Sequence, residues 1–80
     1  MTTQKAVANR ILELCNQYNL TVNGLATISA VPPSTLKNII NGVSQNAGIV
    51  TIKKLCDGLG ITLIDFFNTE TFKILEQEIK

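Results

Sequence analysis

The chain has 80 residues, of which 45% are hydrophobic and 16% are charged, so one globular domain with a small core is predicted rather than a disordered segment. It contains no histidine and two cysteines, which excludes a Cys–His nucleophile pair and the common histidine-containing zinc sites. No apolar stretch approaches the length of a membrane span, and the first ten residues lack the apolar core of a signal peptide. A cytoplasmic protein with no membrane contact is expected.

The charges are unevenly distributed, although the net charge is only +1. Residues 14–56 contain three lysines and no acidic residue, whereas residues 57–80 contain five acidic residues and two lysines. A phosphate backbone would be attracted to the first region and repelled by the second, so the acidic end is expected to stay away from nucleic acid. The alternative is a chance asymmetry in a small chain.

The first helix is predicted over residues 4–18, where apolar residues recur at the helical period and Thr2 or Thr3 is positioned to cap the N-terminus. Its predicted buried face comprises Val7, Ile11, Leu14, Cys15 and Tyr18.

Two short helices joined by a tight turn are predicted between Thr21 and Gly42. Thr21 is a suitable N-cap for the first of them, because its hydroxyl can accept an unpaired N–H of the first turn. Leu25, Ala26 and Ile28 are predicted to share the buried face of that helix.

The second helix of this pair is predicted to begin near Pro33, which is tolerated in a first helical turn, and to end at Gly42, which suits a left-handed backbone. Its predicted apolar stripe consists of Leu36, Ile39 and Ile40. The opposite face carries four polar residues at helical spacing, none of them acidic: Ser34, Lys37, Asn38 and Asn41.

A helix anchored by one apolar face, with hydrogen-bonding groups on the other, meets the physical requirement for reading base edges in a major groove. The alternative for this row is an ordinary solvated helix face. For Ser34 and Thr35 a second alternative is that they cap the helix, which is compatible with phosphate contact at the same end.

Three further helices are predicted downstream. Asn46 is expected to cap the fourth, whose apolar residues are Ile49, Ile52, Leu55, Cys56 and Leu59. Thr62 and Asp65 have the spacing of a capping box at the start of the fifth, which is expected to complete the core with Ile61, Leu63, Phe66 and Phe67.

The sixth predicted helix, residues 69–80, is acidic and amphipathic. Phe72, Leu75 and Ile79 form its apolar stripe, and Glu76 and Lys80 make a favourable i,i+4 pair. Two interpretations stay open: the stripe is a dimer element, or it folds back and covers the core of its own chain.

No constellation for catalysis or metal binding is found. Cys15 and Cys56 each fall on an apolar helical face and are expected to be inert core residues, because two thiols do not complete a zinc shell. Gly58 and Gly60 are expected to end a helix, because the glycine patterns of phosphate-binding loops are missing. The chain is therefore expected not to be an enzyme and to use no cofactor, metal or small-molecule ligand.

The segment from Thr21 to Gly42 resembles the helix-turn-helix of the Cro/repressor family. The resemblance is carried by Leu25-Ala26, Ser29-Ala30-Val31, Thr35-Leu36 and Asn41-Gly42, and downstream by residues 51–61 followed by Asp65-Phe66-Phe67. It covers residues 5–68. Two positions depart from the family pattern: Ala30 stands where glycine is usual, and Val22 stands where relatives often have a polar residue.

This resemblance implies an all-α, five-helix lambda-repressor-like domain over residues 1–68, with an extra C-terminal helix over residues 69–80. It also implies a homodimeric regulator of transcription, a repressor by analogy, that binds double-stranded DNA with residues 33–41 in the major groove. Pro33 occupies a base-contact position of the family but cannot hydrogen-bond through its side chain. The DNA-contacting residues implied by the resemblance are Thr21, Ser34, Thr35, Lys37, Asn38, Asn41, Gln45 and Asn46.

A second hypothesis keeps the fold and changes the partner. The low net charge and the acidic, apolar C-terminal stretch favour a protein-interaction module, such as the antitoxin-like half of a pair. The salt dependence of binding separates the two hypotheses, because only contacts with phosphates give a steep dependence.

Overall fold

Six helices account for the secondary structure of residues 1–79, the part of the chain that the computed structural model describes, and those residues form no strand. The helices are α1 (Thr3–Gln17), α2 (Val22–Ile28), α3 (Pro33–Ile40), α4 (Ile49–Leu59), α5 (Leu63–Phe67) and α6 (Glu70–Lys73). The prediction of an all-α fold with five helices in this order and one extra C-terminal helix is confirmed.

Helix α1 begins and ends one residue earlier than predicted. The Thr2 hydroxyl caps it by accepting the N–H of Lys5 at 3.2 Å. At the other end Asn19 has a left-handed backbone with φ 55°, and the N–H of Leu20 returns to the carbonyl of Cys15 at 2.8 Å. Because the helix ends before it, Tyr18 leaves the predicted buried face and is exposed.

One core is shared by the first five helices. The largest fully buried side chains are Ile11 of α1, Leu25 of α2, Leu36 of α3, Leu55 and Cys56 of α4, and Phe66 of α5. Both cysteines are buried and unbridged, as predicted, and burial raises the pKa of the Cys15 and Cys56 thiols. The core therefore depends on all five helices being in place.

The buried face of α2 differs from the prediction at its C-terminal end. Leu25 and Ala26 are buried, but Ile28 is 49% exposed. Ser29, four residues after Leu25, is buried in its place, because α4 crosses α2 there with Gly58 at the crossing point.

The predicted cap of α4 is wrong. The helix begins at Ile49, with Gly48 as its N-cap and no side-chain hydrogen bond, while Asn46 is exposed in the preceding loop. Ala47 is half-buried against the core, and the chain stays non-helical for two residues past Asn46. As a consequence Ile49, predicted to face the core, is 57% exposed.

Helix α5 is held at both ends. The predicted capping box is present: the Thr62 hydroxyl accepts the N–H of Asp65, and the Asp65 carboxylate accepts the N–H of Thr62, both at 3.0 Å. Hydrogen bonds from Thr62 lower the pKa of the Asp65 carboxyl. At the other end, Arg10 of α1 donates to the carbonyls of Phe66 at 2.7 Å and Asp65 at 2.9 Å.

The C-terminal helix is much shorter than predicted. Helix α6 is a single turn, and residues 74–79 do not continue the predicted amphipathic helix. Phe72 packs edge-on against Phe67 with ring centroids 5.0 Å apart, so this residue covers the core, whereas Ile79 is 88% exposed. A helix this short is marginal on its own and depends on such packing. The predicted Glu76–Lys80 pair lies outside the described residues.

Candidate nucleic-acid interface

The turn between α2 and α3 fixes the two helices relative to each other. Ala30 has a left-handed backbone with φ 54°. This is the conformation that the family's usual glycine at this position indicates. Val31 follows it into the core and donates its N–H to the carbonyl of Ala26 at 3.0 Å. Helix α3 therefore has a defined orientation, with Leu36 and Ile39 buried beneath it.

The outer face of α3 carries the predicted polar row. Ser34, Lys37, Asn38 and Asn41 are all exposed, and Thr35 is half-buried at the edge of the row. Exposure is a necessary condition for contact with a ligand, and the contact of these residues with DNA stays a prediction. Pro33 begins the helix, and neither Ser34 nor Thr35 provides a side-chain cap for it.

Thr21 caps α2 next to this surface. Its side chain accepts the N–H of Gly24 at 2.9 Å and is exposed, so the hydroxyl proton remains available to a phosphate oxygen. The structure therefore gives Thr21 a structural role, and its predicted role in DNA contact stays a prediction.

The loop after α3 is folded against the end of that helix. The N–H of Ser44 donates to the carbonyl of Asn38 at 3.0 Å, and the Gln45 side-chain amide donates to the carbonyl of Gly42, which has a left-handed backbone with φ 77°. Gln45 and Asn46 are both exposed. The loop is thus held beside the polar row.

A small polar groove joins the row to the start of α4. It has a volume of about 220 Å³ and is lined mainly by Thr35, Asn38, Ser44, Asn46, Gly48 and Thr51. Ser44, Gly48 and Thr51 are not among the contacts predicted from the sequence, because the sequence pattern places Asn46 at the cap of α4. Without a side-chain cap, the first turn of α4 presents backbone N–H groups, which favour anions, on the same side as Asn38.

The acidic C-terminal end does not stay away from this surface. Glu76, Gln77 and Glu78 line a cavity of about 430 Å³ together with Gln45 and Asn46 of the loop. The segment reaches the loop because the chain turns back after α6 instead of continuing as a helix, and the expectation that the acidic end avoids nucleic acid stays a prediction.

Two further properties of the described residues concern metal ions and membranes. Within residues 1–79, no group of three or more metal-ligating side chains is arranged to hold a metal ion. Over the same residues, no helix is long and apolar enough to cross a membrane.

Comparisons with known proteins agree with this geometry. A family model described as Helix-turn-helix matches residues 11–66. The crystal structure of the prophage Lp1 protein 11 superposes with a TM-score of 0.81 at 36% sequence identity, over 94% of this chain and 100% of that chain. A comparison with curated protein sequences gives no significant match. The chain therefore belongs to the Cro/C1-type helix-turn-helix family, a family of DNA-binding regulators.

Proposed function

We propose that this protein is a transcriptional regulator, acting as a repressor, that binds a specific sequence of double-stranded DNA through α3. The observation that carries the proposal is the exposed polar row of α3 above the buried Leu36 and Ile39. Repression requires only that a bound protein occupies the operator, which this domain would do without any further activity. The role implies a cytoplasmic location, where the DNA is accessible.

Base readout is assigned to the middle of the row. The Asn38 amide presents one donor and one acceptor, which match the N7 and N6 positions of adenine in the major groove. Ser34 lies one helical turn before Asn38, and Lys37 directly precedes it. Both would reach neighbouring bases or phosphates. Pro33 adds no hydrogen bond, so direct readout rests on few side chains.

Phosphate contacts are assigned to the two ends of the surface. Thr21 lies at the start of α2, and Thr35, Asn41, Gln45 and Asn46 lie along the edge of α3 and in the loop after it. The uncapped first turn of α4 supplies further N–H groups. Lys37 is the only charged side chain among the predicted contacts, so few counterions would be released on binding.

The test is selection of bound sequences from a pool of random duplexes, followed by affinity measurements over a range of salt concentrations. We expect one preferred sequence, and log K falling with log salt at a slope of about −0.9 for each phosphate neutralised. A protein that enriches no sequence and binds no duplex would contradict the proposal.

We further propose that the protein acts as a homodimer, since helix-turn-helix proteins bind paired half-sites about one helical turn, roughly 34 Å, apart. An apolar patch at the junction of α4 and α5 supports this. Ile49 and Ile64 are 57% and 78% exposed, and together with Leu63 and Phe67 they line an open cavity of about 500 Å³. Exposed apolar clusters mark association sites. The predicted C-terminal stripe gives the proposal less support, because its Phe72 packs inward against Phe67.

The same patch supports a second candidate function, in which the domain binds a different protein. The net charge of +1 is low for a nucleic-acid binder. A partner protein seated on the patch would bind with a shallow salt dependence, and substitutions in α3 would leave that binding unchanged.

A further inference from the structure

The segment after α6 is held in a defined position across the start of α1. The backbone N–H of Glu76 donates to the carbonyl of Met1 at 3.3 Å, and the Glu76 carboxylate lies 3.3 Å from the Met1 amino group. The Glu76 side chain is 60% exposed. Its charge is therefore fixed in place by backbone contact while it still acts through solvent.

This segment faces the loop to which phosphate contact is assigned. Their shared cavity is lined by Glu76, Gln77 and Glu78 of the segment, by Gln45, Asn46 and Ala47 of the loop, and by residues of α1 and its start that include Thr2, Thr3 and Gln4. Gln4 also donates its side-chain amide to the carbonyl of Ile39 at 2.8 Å. The start of α1 thus contacts both the acidic segment and the C-terminal end of α3.

We propose that the C-terminal segment is a built-in brake on DNA binding, in which the carboxylates of Glu76 and Glu78 repel the phosphates that approach Gln45 and Asn46. The inference rests on the proposed DNA-binding function. Residues that line one cavity of about 430 Å³ are separated by distances on the order of the Debye length at 0.1 M ionic strength, about 10 Å. Phosphates seated on the loop are therefore within range of both carboxylates.

The brake has a defined dependence on salt. The Debye length is about 30 Å at 0.01 M and about 8 Å at 0.15 M, so the repulsion extends over several phosphates at low salt and is largely screened at physiological salt. Ordinary phosphate contacts weaken as salt rises. The repulsion weakens as well when salt is added. The affinity of the chain for DNA should therefore fall less steeply with salt than it would without the two carboxylates.

The test compares charge-neutral variants of the full chain on the duplex selected above. The double variant Glu76→Gln/Glu78→Gln keeps the side-chain shapes and removes two charges. We expect it to bind about fivefold more tightly than the parent at 0.01 M salt and at most about twofold more tightly at 0.15 M. The matched control is Glu13→Gln/Glu70→Gln, which removes two charges from side chains that do not line this cavity, and we expect a smaller gain from it.

Two results of this comparison of double variants would overturn the proposal. One is an affinity of the Glu76→Gln/Glu78→Gln variant equal to that of the parent at 0.01 M salt. The other is an equal gain in the two double variants, which would assign the effect to net charge alone.

Glu78→Gln alone separates charge from position, because it leaves the contacts of Glu76 with Met1 intact. An increase of about half the double-variant effect, on a logarithmic scale, supports repulsion by both carboxylates. No increase from Glu78→Gln would reject it in favour of release of the segment. If neither the parent nor any variant binds a duplex, the DNA-binding function itself fails and this proposal with it.

Discussion

Gly58 of α4 lies against Ser29 at the end of α2, and the two helices cross there without room for another carbon atom. A Cβ atom at Gly58 would lie 2.3 Å from the Ser29 hydroxyl oxygen and 3.1 Å from both the Ser29 Cα and the Ile28 carbonyl oxygen. The hydroxyl can be removed by substitution, but the two backbone atoms cannot move without shifting α2. This contact positions α2 against α4 and therefore sets the geometry of the helix-turn-helix.

We expect Gly58→Ala to destabilise the domain by about 1–3 kcal/mol, because overpacking outweighs the gain of roughly 1 kcal/mol in helix propensity. Urea denaturation followed by circular dichroism measures the change. Gly48→Ala is the control: a Cβ there meets only the Thr51 hydroxyl at 4.0 Å, so its effect should be smaller. Ser29→Ala added to Gly58→Ala should recover part of the loss, because the Ser29 hydroxyl is buried with no hydrogen-bond partner among the described residues. A Gly58→Ala variant more stable than the parent would show that the crossing of α2 and α4 has room for the added Cβ atom.

Ala30→Gly is expected to stabilise the domain by roughly 1 kcal/mol. Ala30 has φ 54°, a left-handed conformation that costs an alanine about 1–2 kcal/mol, and the greater entropy of glycine in the unfolded chain offsets part of the gain. Thermal melts compare it with Asn19→Gly, at φ 55°. Asparagine tolerates this conformation better, so the control should gain less. A lower melting temperature for Ala30→Gly would be inconsistent with strain in the turn.

The pH dependence of stability should include a contribution from Asp65. Hydrogen bonds from Thr62 lower its folded-state pKa below the ordinary value of 3.8, so the stabilisation is present above that pH and is lost as the pH falls through the folded-state pKa. We expect Asp65→Ala to lower the melting temperature at pH 7 and the two curves to converge at acid pH. Asp57→Ala is the control, because Asp57 makes an exposed ion pair with Lys53 rather than a cap. A constant difference between Asp65→Ala and the parent at all pH values would exclude this role.

Asn38→Ala is expected to lower affinity for the selected duplex and to relax specificity at one base pair in each half-site, by about 1–3 kcal/mol. Lys37→Ala should weaken binding to all sequences about equally if Lys37 contacts phosphate. Lys54→Ala is a control with the same loss of charge at an exposed position on α4. Affinities measured by fluorescence anisotropy distinguish these outcomes, with the selected duplex and a second duplex of shuffled sequence as ligands. If Asn38→Ala and Lys37→Ala bind every duplex as the parent does, α3 is not the recognition helix.

Ile64→Glu should separate dimerisation from folding, because Ile64 is 78% exposed and its replacement leaves the core intact. We expect a folded monomer whose melting curve matches that of the parent at concentrations where the parent dimer dissociates. It should bind a palindrome weakly and a single half-site as tightly as the parent does. Ile79→Glu, at a residue 88% exposed outside the patch, is the control and should keep the dimer. Sedimentation velocity gives the oligomeric state. An unchanged dimer of the Ile64→Glu variant would rule out the patch as the interface.

The parts of the fold that follow from local rules could be predicted from the sequence. Helical periodicity located α1–α5, and the side-chain caps at Thr2, Thr21 and Thr62 are where the pattern of hydroxyl residues placed them. The exposed polar row of α3 follows from the same periodicity, because its apolar stripe had to face inward.

The parts that depend on distant contacts could not be predicted. Ser29 replaces Ile28 in the core because Gly58, far along the chain, allows α4 to approach closely. Half-buried Ala47 contacts the core between Asn46 and the start of α4 at Ile49, a contact that the local sequence does not indicate. The C-terminal stripe was regular enough to predict a helix, but Phe72 is drawn into the aromatic cluster of α5 and the chain then turns back. The proximity of Glu76 to the loop follows from that turn and has no local sequence pattern.

The hydrogen bonds of Arg10 affect how the domain unfolds. Its guanidinium joins α1 to the carbonyls of Asp65 and Phe66, across 55 and 56 positions of the chain, and so connects the two ends of the five-helix core. Detachment of α5 would leave a nearly buried guanidinium without its carbonyl partners and uncover the Phe66 ring, so partial opening at this end is costly. We therefore expect the helix-turn-helix to form and to be lost together with the closure of this long loop, in a single cooperative transition.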